Sequence, residues 1–247
     1  MTIGLNTFRA QVGYLIDADS DIISEDVRDE MVKAALERYS RDAPDTQTDD
    51  VDGDGGKYYG VATSLTGWVE GFSRITEIEY PAATIASDET PVYLEPEDWR
   101  DDYWVAVGET PTQTRYLYLP NHAPAATETM RITYTVPWLF SGSPLTVDMP
   151  TQDFFAVCYL AAGLCCQVIA AKYARTSDST IAADSVGHTT RSGEHARRAK
   201  EFIALYEKHL GLGEEADVKA TGEFVDWDTE PTWPAGRQFI FHGKGVR

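Results

Sequence analysis

The feature that most constrains this chain is the run FFAVCYLAAGLCCQVIAA, Phe154 to Ala171, which holds no charged residue. A helix apolar on every side has no face to offer water, so it must sit inside a protein or inside a bilayer. Its length is near the lower limit for a membrane span, and Gly163, Gln167 and the wealth of Ala and Cys favour close helix packing instead. The run is therefore expected at the heart of a helical module, with no membrane involved. Phe154, Leu160, Ala162, Leu164 and Ile169 are its expected subunit-packing residues. All three cysteines, Cys158, Cys165 and Cys166, lie within it and read as small buried hydrophobes rather than as disulfide partners or reactive thiols.

The elements that enclose this run come from both sides of it in sequence. Upstream, Thr7–Ile16 places Phe8, Val12 and Leu15 on one helical face after Asn6 or Thr7 as cap. A second helix begins at Ser24, with Glu25 and Asp26 where the helix dipole favours acids. Val27, Met31, Ala34, Ala35 and Tyr39 form its stripe, and it stops before Pro44. Thr151 is the expected cap of the apolar helix. Downstream, Ser192 is the expected cap of a last helix with Ala196, Ala199, Phe202, Ile203, Tyr206 and Leu210 on one face. Glu194 with Arg198 and Arg197 with Glu201 are spaced to pair, and Gly211 ends the helix.

Between Asp45 and about Asp148 the period changes to short alternating runs separated by Gly, Pro and Asp: WVEGFSRITEIEYP, PVYLEPEDW, YWVAV, RYLYLP and RITYTVPW. These predict a small antiparallel sheet, sandwich or barrel. The fold class is therefore α+β: residues 1–45 and 149–211 form a helical module, 46–148 an inserted β-rich domain, and 212–247 an extended C-terminal tail.

One motif invites a metal. In TDDVDGDGGKYYG, Asp50, Asp52 and Asp54 alternate before Gly55, as in an EF-hand loop, but the twelfth position, where a bidentate Glu is required, is Val61. The stretch is expected to be a turn, with Gly55 and Gly56 supplying positive φ. His188 and His195 with Asp184 form the one other cluster worth testing for a metal, and a solvated loop leading into a helix cap is the reading favoured for it. Glu97 and Asp98 read as a solvated turn. No G-x-S-x-G elbow, Walker loop, dinucleotide fingerprint or H-E-x-x-H is present. No catalytic residue, cofactor or metal is expected.

Charge excludes another class of function. The net charge is −19, and residues 1–150 alone carry 27 acids against 10 bases, whereas 151–213 are nearly neutral. Grip on a phosphate backbone needs clustered Lys and Arg, so specific nucleic-acid binding is not expected. The opening residues MTIGLNTFRAQ lack a basic start followed by an apolar run, so export through a signal peptide is not expected either.

The succession RYSRDAPD, GDGG, WVEGFSRITEIEYP, PVYLEPEDW, RYLYLP, ITYTVP, AAGLCCQVIAAKYARTSDSTIAADSV and SGEHARRAKEFIALYEKHLG resembles the head-to-tail adaptor, or neck connector, proteins of tailed viruses. The resemblance spans Ile22 to Gly211 and is most specific in DSTIAADSV and ARRAKEFIALYEKHLG. It implies a structural protein of the virion neck, assembled in the host cytoplasm as a ring, usually twelvefold, beneath the portal protein. A downstream neck or tail-completion protein is a further implied partner, and genome DNA would pass through without specific binding. The tail after Gly211 and the acidity depart from the family pattern. In the tail, Phe224, Trp227, Trp233, Phe239, Ile240 and Phe241 are expected to dock on a neighbouring subunit or the portal. The reading that competes with the adaptor is a β-sandwich module for a carbohydrate or small ligand carried on a helical scaffold.

Overall fold

The computed structural model of the chain describes residues 2–83, 90–107, 112–176 and 189–212. It is α+β, with two apolar cores. The first core is helical. Helix α1 (Leu5–Ile16), α2 (Glu25–Asp42), α4 (Phe154–Thr176) and α5 (Thr189–Leu210) pack so that α4 touches each of the other three. The neighbours that the apolar run requires are thus supplied by the chain itself. Leu160, Ala162 and Ile169 are fully buried, and Phe154 and Leu164 are half-buried. This narrows the expected subunit contact, because three of its five residues have no surface to offer another copy.

The helix ends follow local chemistry. Ser24 accepts the Val27 N–H at the start of α2, as its identity predicts. At the end of α5, Gly211 adopts φ 70°, and Leu212 and Gly211 donate to the carbonyls of Glu207 and Lys208, the paired bonds of a glycine-terminated helix. Several caps differ from expectation. The N-cap of α1 is Gly4, not Asn6 or Thr7. A 3₁₀ turn, Thr151–Asp153, precedes α4, and its N-cap position is Pro150 rather than Thr151. Ser192 lies inside α5, where its hydroxyl donates to the Ala170 carbonyl, so that helix starts at Thr189. The two expected stripes face the core except at one position each. Val32 and Leu36 are buried in α2 while Ala34 is exposed, and His195 takes the buried position in α5 expected of Ala196. Arg197 does pair with Glu201, whereas Arg198 reaches the Leu15 carbonyl.

The second core belongs to two three-stranded antiparallel sheets. In one, β7 (Thr129–Val136) lies between β2 (Asp45–Asp52) and β4 (Ile75–Glu79). In the other, β6 (Thr112–Tyr118) lies between β3 (Tyr58–Gly60) and β5 (Arg100–Val107). A one-turn helix, α3 (Val61–Ser64), follows β3. Alternation along β7 turns Met130, Ile132 and Tyr134 inward, where they meet Ile75 and Ile78 of β4 and Leu117 of β6. The outward face of β7 carries Arg131, whose guanidinium binds both carboxylate oxygens of Asp50 on β2 and reaches Glu79 on β4, tying three strands together. PVYLEPEDW does not form a strand; Tyr93 makes a single bridge to Glu79, since Pro91 and Pro96 remove ladder donors on either side.

The segment that leads into α4 packs with the helices. Strand β8 (Thr146–Asp148) pairs with β1 (Thr2–Gly4), and Val147 and Met149 join the helical core together with Trp138 and Phe140. The β-rich insert therefore ends near Val136, and 137–149 belongs to the helical module.

Candidate functional site

The Asp50–Gly56 stretch is a strand end and a turn. Asp50 is engaged by Arg131, Asp52 accepts from the Thr129 hydroxyl at 3.1 Å, and Asp54 Oδ1 accepts the Gly56 N–H at 2.7 Å. The three carboxylates thus serve three different partners and do not converge. Gly55 has φ 80°, the conformation that requires glycine, while Gly56 serves as the N–H donor and has no positive φ. The turn does not close a hairpin. It carries the chain from one sheet to the other, held by Gly53 and Gly55 N–H bonds to the carbonyls of Glu128 and Pro124.

His195 is buried and stacked on Tyr173, while His188 and Asp184 lie outside the described residues. Among the described residues no group of three or more His, Cys, Asp or Glu gathers as a metal site would. Asp98 accepts from Asn121 on a surface turn. Burial pushes the Cys158 and Cys165 thiols up to about 12, which leaves them protonated and inert as nucleophiles. The tail residues Phe224, Trp227, Trp233, Phe239, Ile240 and Phe241 also lie outside the described residues.

Where the last turns of α2, the start of α4 and the end of α5 converge, polar side chains replace apolar ones. The buried Asp153 carboxylate accepts the Tyr39 hydroxyl at 2.7 Å through one oxygen and meets His209 Nε2 at 2.7 Å through the other. Tyr206 donates to Asp42 at 2.6 Å, and Arg38 donates to Glu207 at 2.8 Å. Burial first, then the hydrogen bonds to Asp153 and Asp42, pushes the Tyr39 and Tyr206 phenols well above their ordinary value. They act as fixed hydrogen-bond donors, and the cluster fastens the exit of α5 to α2.

On the neighbouring face of α2 opens a cleft of about 720 Å³ between the two cores. Leu36, Phe72, Trp138, Leu139, Phe140 and Leu145 supply its apolar surface, and Lys33, Glu37, Arg41 and Glu70 its rim. Leu139 is 63% exposed and Leu145 40% exposed, an apolar surface that nothing in the described residues covers. Trp138 is fixed in place: its N–H donates to Ser40 Oγ and its indole to the Ala43 carbonyl. Ser40, the one hydroxyl among the described residues that line the cleft, is buried and donates to the Leu36 carbonyl, so its proton is already held by the backbone. The arrangement can hold an apolar group with a polar border.

The sequence reading missed this cleft. Its signal was PWLFSGSPL, an aromatic and leucine cluster with neither helical nor strand period between two prolines. No protein-family profile, curated protein or solved structure matches the chain. The functional reading therefore rests on the residues and their arrangement.

Proposed function

We propose that this chain is a structural head-to-tail adaptor of a tailed virus. In this reading it is a subunit of a ring beneath the portal protein that joins capsid to tail and lines the DNA channel in the virion neck. A neck or tail-completion protein docks below, and DNA passes without specific contacts. No enzymatic role is proposed. The reading originates in the resemblance of Ile22–Gly211 to that family. The observation that carries it further is that helices from both ends of the chain close around α4 into one bundle, while the β-rich segment between them has a core of its own. Such a plan suits a subunit whose helical body stacks in a ring while the insert projects toward other parts of the particle.

Negative-stain imaging of the purified protein, alone and with the portal protein of the same virus, tests the proposal. Rings, or co-migration with the portal, are expected. A monodisperse small species that ignores the portal would overturn the reading and leave the ligand-binding module as its replacement.

A further inference from the structure

We propose that the cleft between the two cores is the seat of the chain's own C-terminal aromatic run, Phe224–Trp233. The inference stands apart from the adaptor reading, because cleft, exit point and reach all belong to a single chain.

The exit point comes first. The last turn of α5 lies along the last turns of α2, held by the Arg38–Glu207 and Asp42–Tyr206 bonds, and Gly211 stops the helix there. The cleft is built on the same turns of α2, from Leu36 to Arg41. Travelling from one side of α2 to the other is a matter of one helix diameter, roughly 10 Å. The linker that follows, GEEADVKATGE from Gly213 to Glu223, is polar and could extend to about 36 Å at ~3.3 Å per residue. It spans the gap with slack to turn. A covalent tether this short also presents its cargo at about millimolar effective concentration, which no second copy matches in dilute solution.

Chemistry comes second. The cleft leaves Leu139 and Leu145 exposed around the fixed indole of Trp138. Phe224, Trp227 and Trp233 form the first aromatic run that the linker delivers. They are too few to bury one another, and such rings gain most from a preformed apolar pocket with a polar border for their indole N–H groups. The rim carries both signs of charge, Lys33 and Arg41 against Glu37 and Glu70, so apolar fit and tether, not net charge, select the occupant.

Thiol protection tests the seat in the full-length chain. The native cysteines are fully buried, so Leu139→Cys introduces the one readily labelled thiol among the described residues. Its reaction with a bulky maleimide is compared with that of Tyr14→Cys, a position 79% exposed on α1. It is also compared with Leu139→Cys carrying Trp227→Asp and Trp233→Asp. Labelling of Leu139→Cys is expected to be about tenfold slower than the reference, as for a seat filled in roughly nine chains of ten. The slowing should be unchanged on dilution and lost in the tail-charged variant. Equal labelling with intact and charged tails overturns the proposal. Protection that fades on dilution also overturns it, by assigning the seat to a second copy.

Discussion

Asp49 shows how single residues hold this fold. Its Oδ2 accepts the Thr66 N–H at 2.6 Å and the Tyr134 hydroxyl at 2.8 Å. Partial burial by itself would raise its pKa, but these donors outweigh burial and hold the carboxyl below its ordinary value. A depressed folded-state value means the stabilisation is complete above the unfolded carboxyl value, roughly 3.9, and is lost as pH falls through the lower folded value. Asp49→Asn should therefore cost about 1 kcal/mol at neutral pH, a modest figure because the group is partly exposed. The deficit should shrink as pH falls below about 4. Urea unfolding at the two pH values checks this, and a deficit independent of pH would show that the charge is not what the donors hold. The neighbouring aspartates answer to the same logic. Calcium could recruit Asp50 only by breaking its bidentate contact with Arg131, so millimolar calcium is expected to leave the melting temperature unchanged. A calcium-dependent rise that vanishes in Asp52→Asn would reverse that conclusion.

Among elements, α4 carries the greatest weight. Ala162 is fully buried within the chain, so Ala162→Asp places an unpaired charge in the helical core at a cost of several kcal/mol. Loss of the folded state by circular dichroism is expected; a native melting curve would show that the position faces solvent. At Gly163 α5 lies close against α4: a β-carbon there would stand 3.0 Å from Ile203 Cγ1 and 3.2 Å from the Ala199 carbonyl. Gly163→Leu must push the helices apart, costing about 1–3 kcal/mol or more in thermal denaturation, whereas a neutral effect would mean that the contact is loose. Helix α2 was legible in the sequence because its apolar stripe, its Ser24 cap and its first-turn acids agree, and α4 because its apolar run is long and unbroken, although the caps expected for α4 and α5 lay elsewhere. The strands β4, β6 and β7 were legible by alternation. What escaped was short or aperiodic. Strands β1 and β8 have three residues each, too few for a period, and they pair across most of the described chain, so composition gave no sign that 146–148 joins the helices. The cleft escaped for a related reason: PWLFSGSPL sits on no helix face or strand face, and only the packing of Trp138 against Ser40 and Ala43 reveals its direction.

At the scale of the whole molecule the dominant quantity is charge. With a net charge of −19, of which residues 1–150 hold most, the folded chain repels itself, and salt should relieve that strain. Raising salt from 0.1 to 1 M shortens the screening length from roughly 10 to 3 Å. The melting temperature of the isolated protein is expected to rise over that range, and a fall would mean that attractive ion pairs such as Arg9–Asp29 and Arg38–Glu207 outweigh the repulsion. The same asymmetry makes a sharper demand on the proposed ring. A channel that lets DNA slide should present acids, because phosphates bind clustered bases and stall. Exposed carboxylates are plentiful on the insert, Asp50, Asp52, Asp54 and Glu77 among them, while the exposed bases Arg191, Arg197 and Lys200 lie on α5. The ring is therefore expected to turn the acidic face of residues 1–150 toward its lumen and α5 away from it. An image of the assembled ring resolved to the level of helices decides between the two orientations: α5 lining the lumen with the acids on the outer wall would defeat the channel argument even if the ring itself forms.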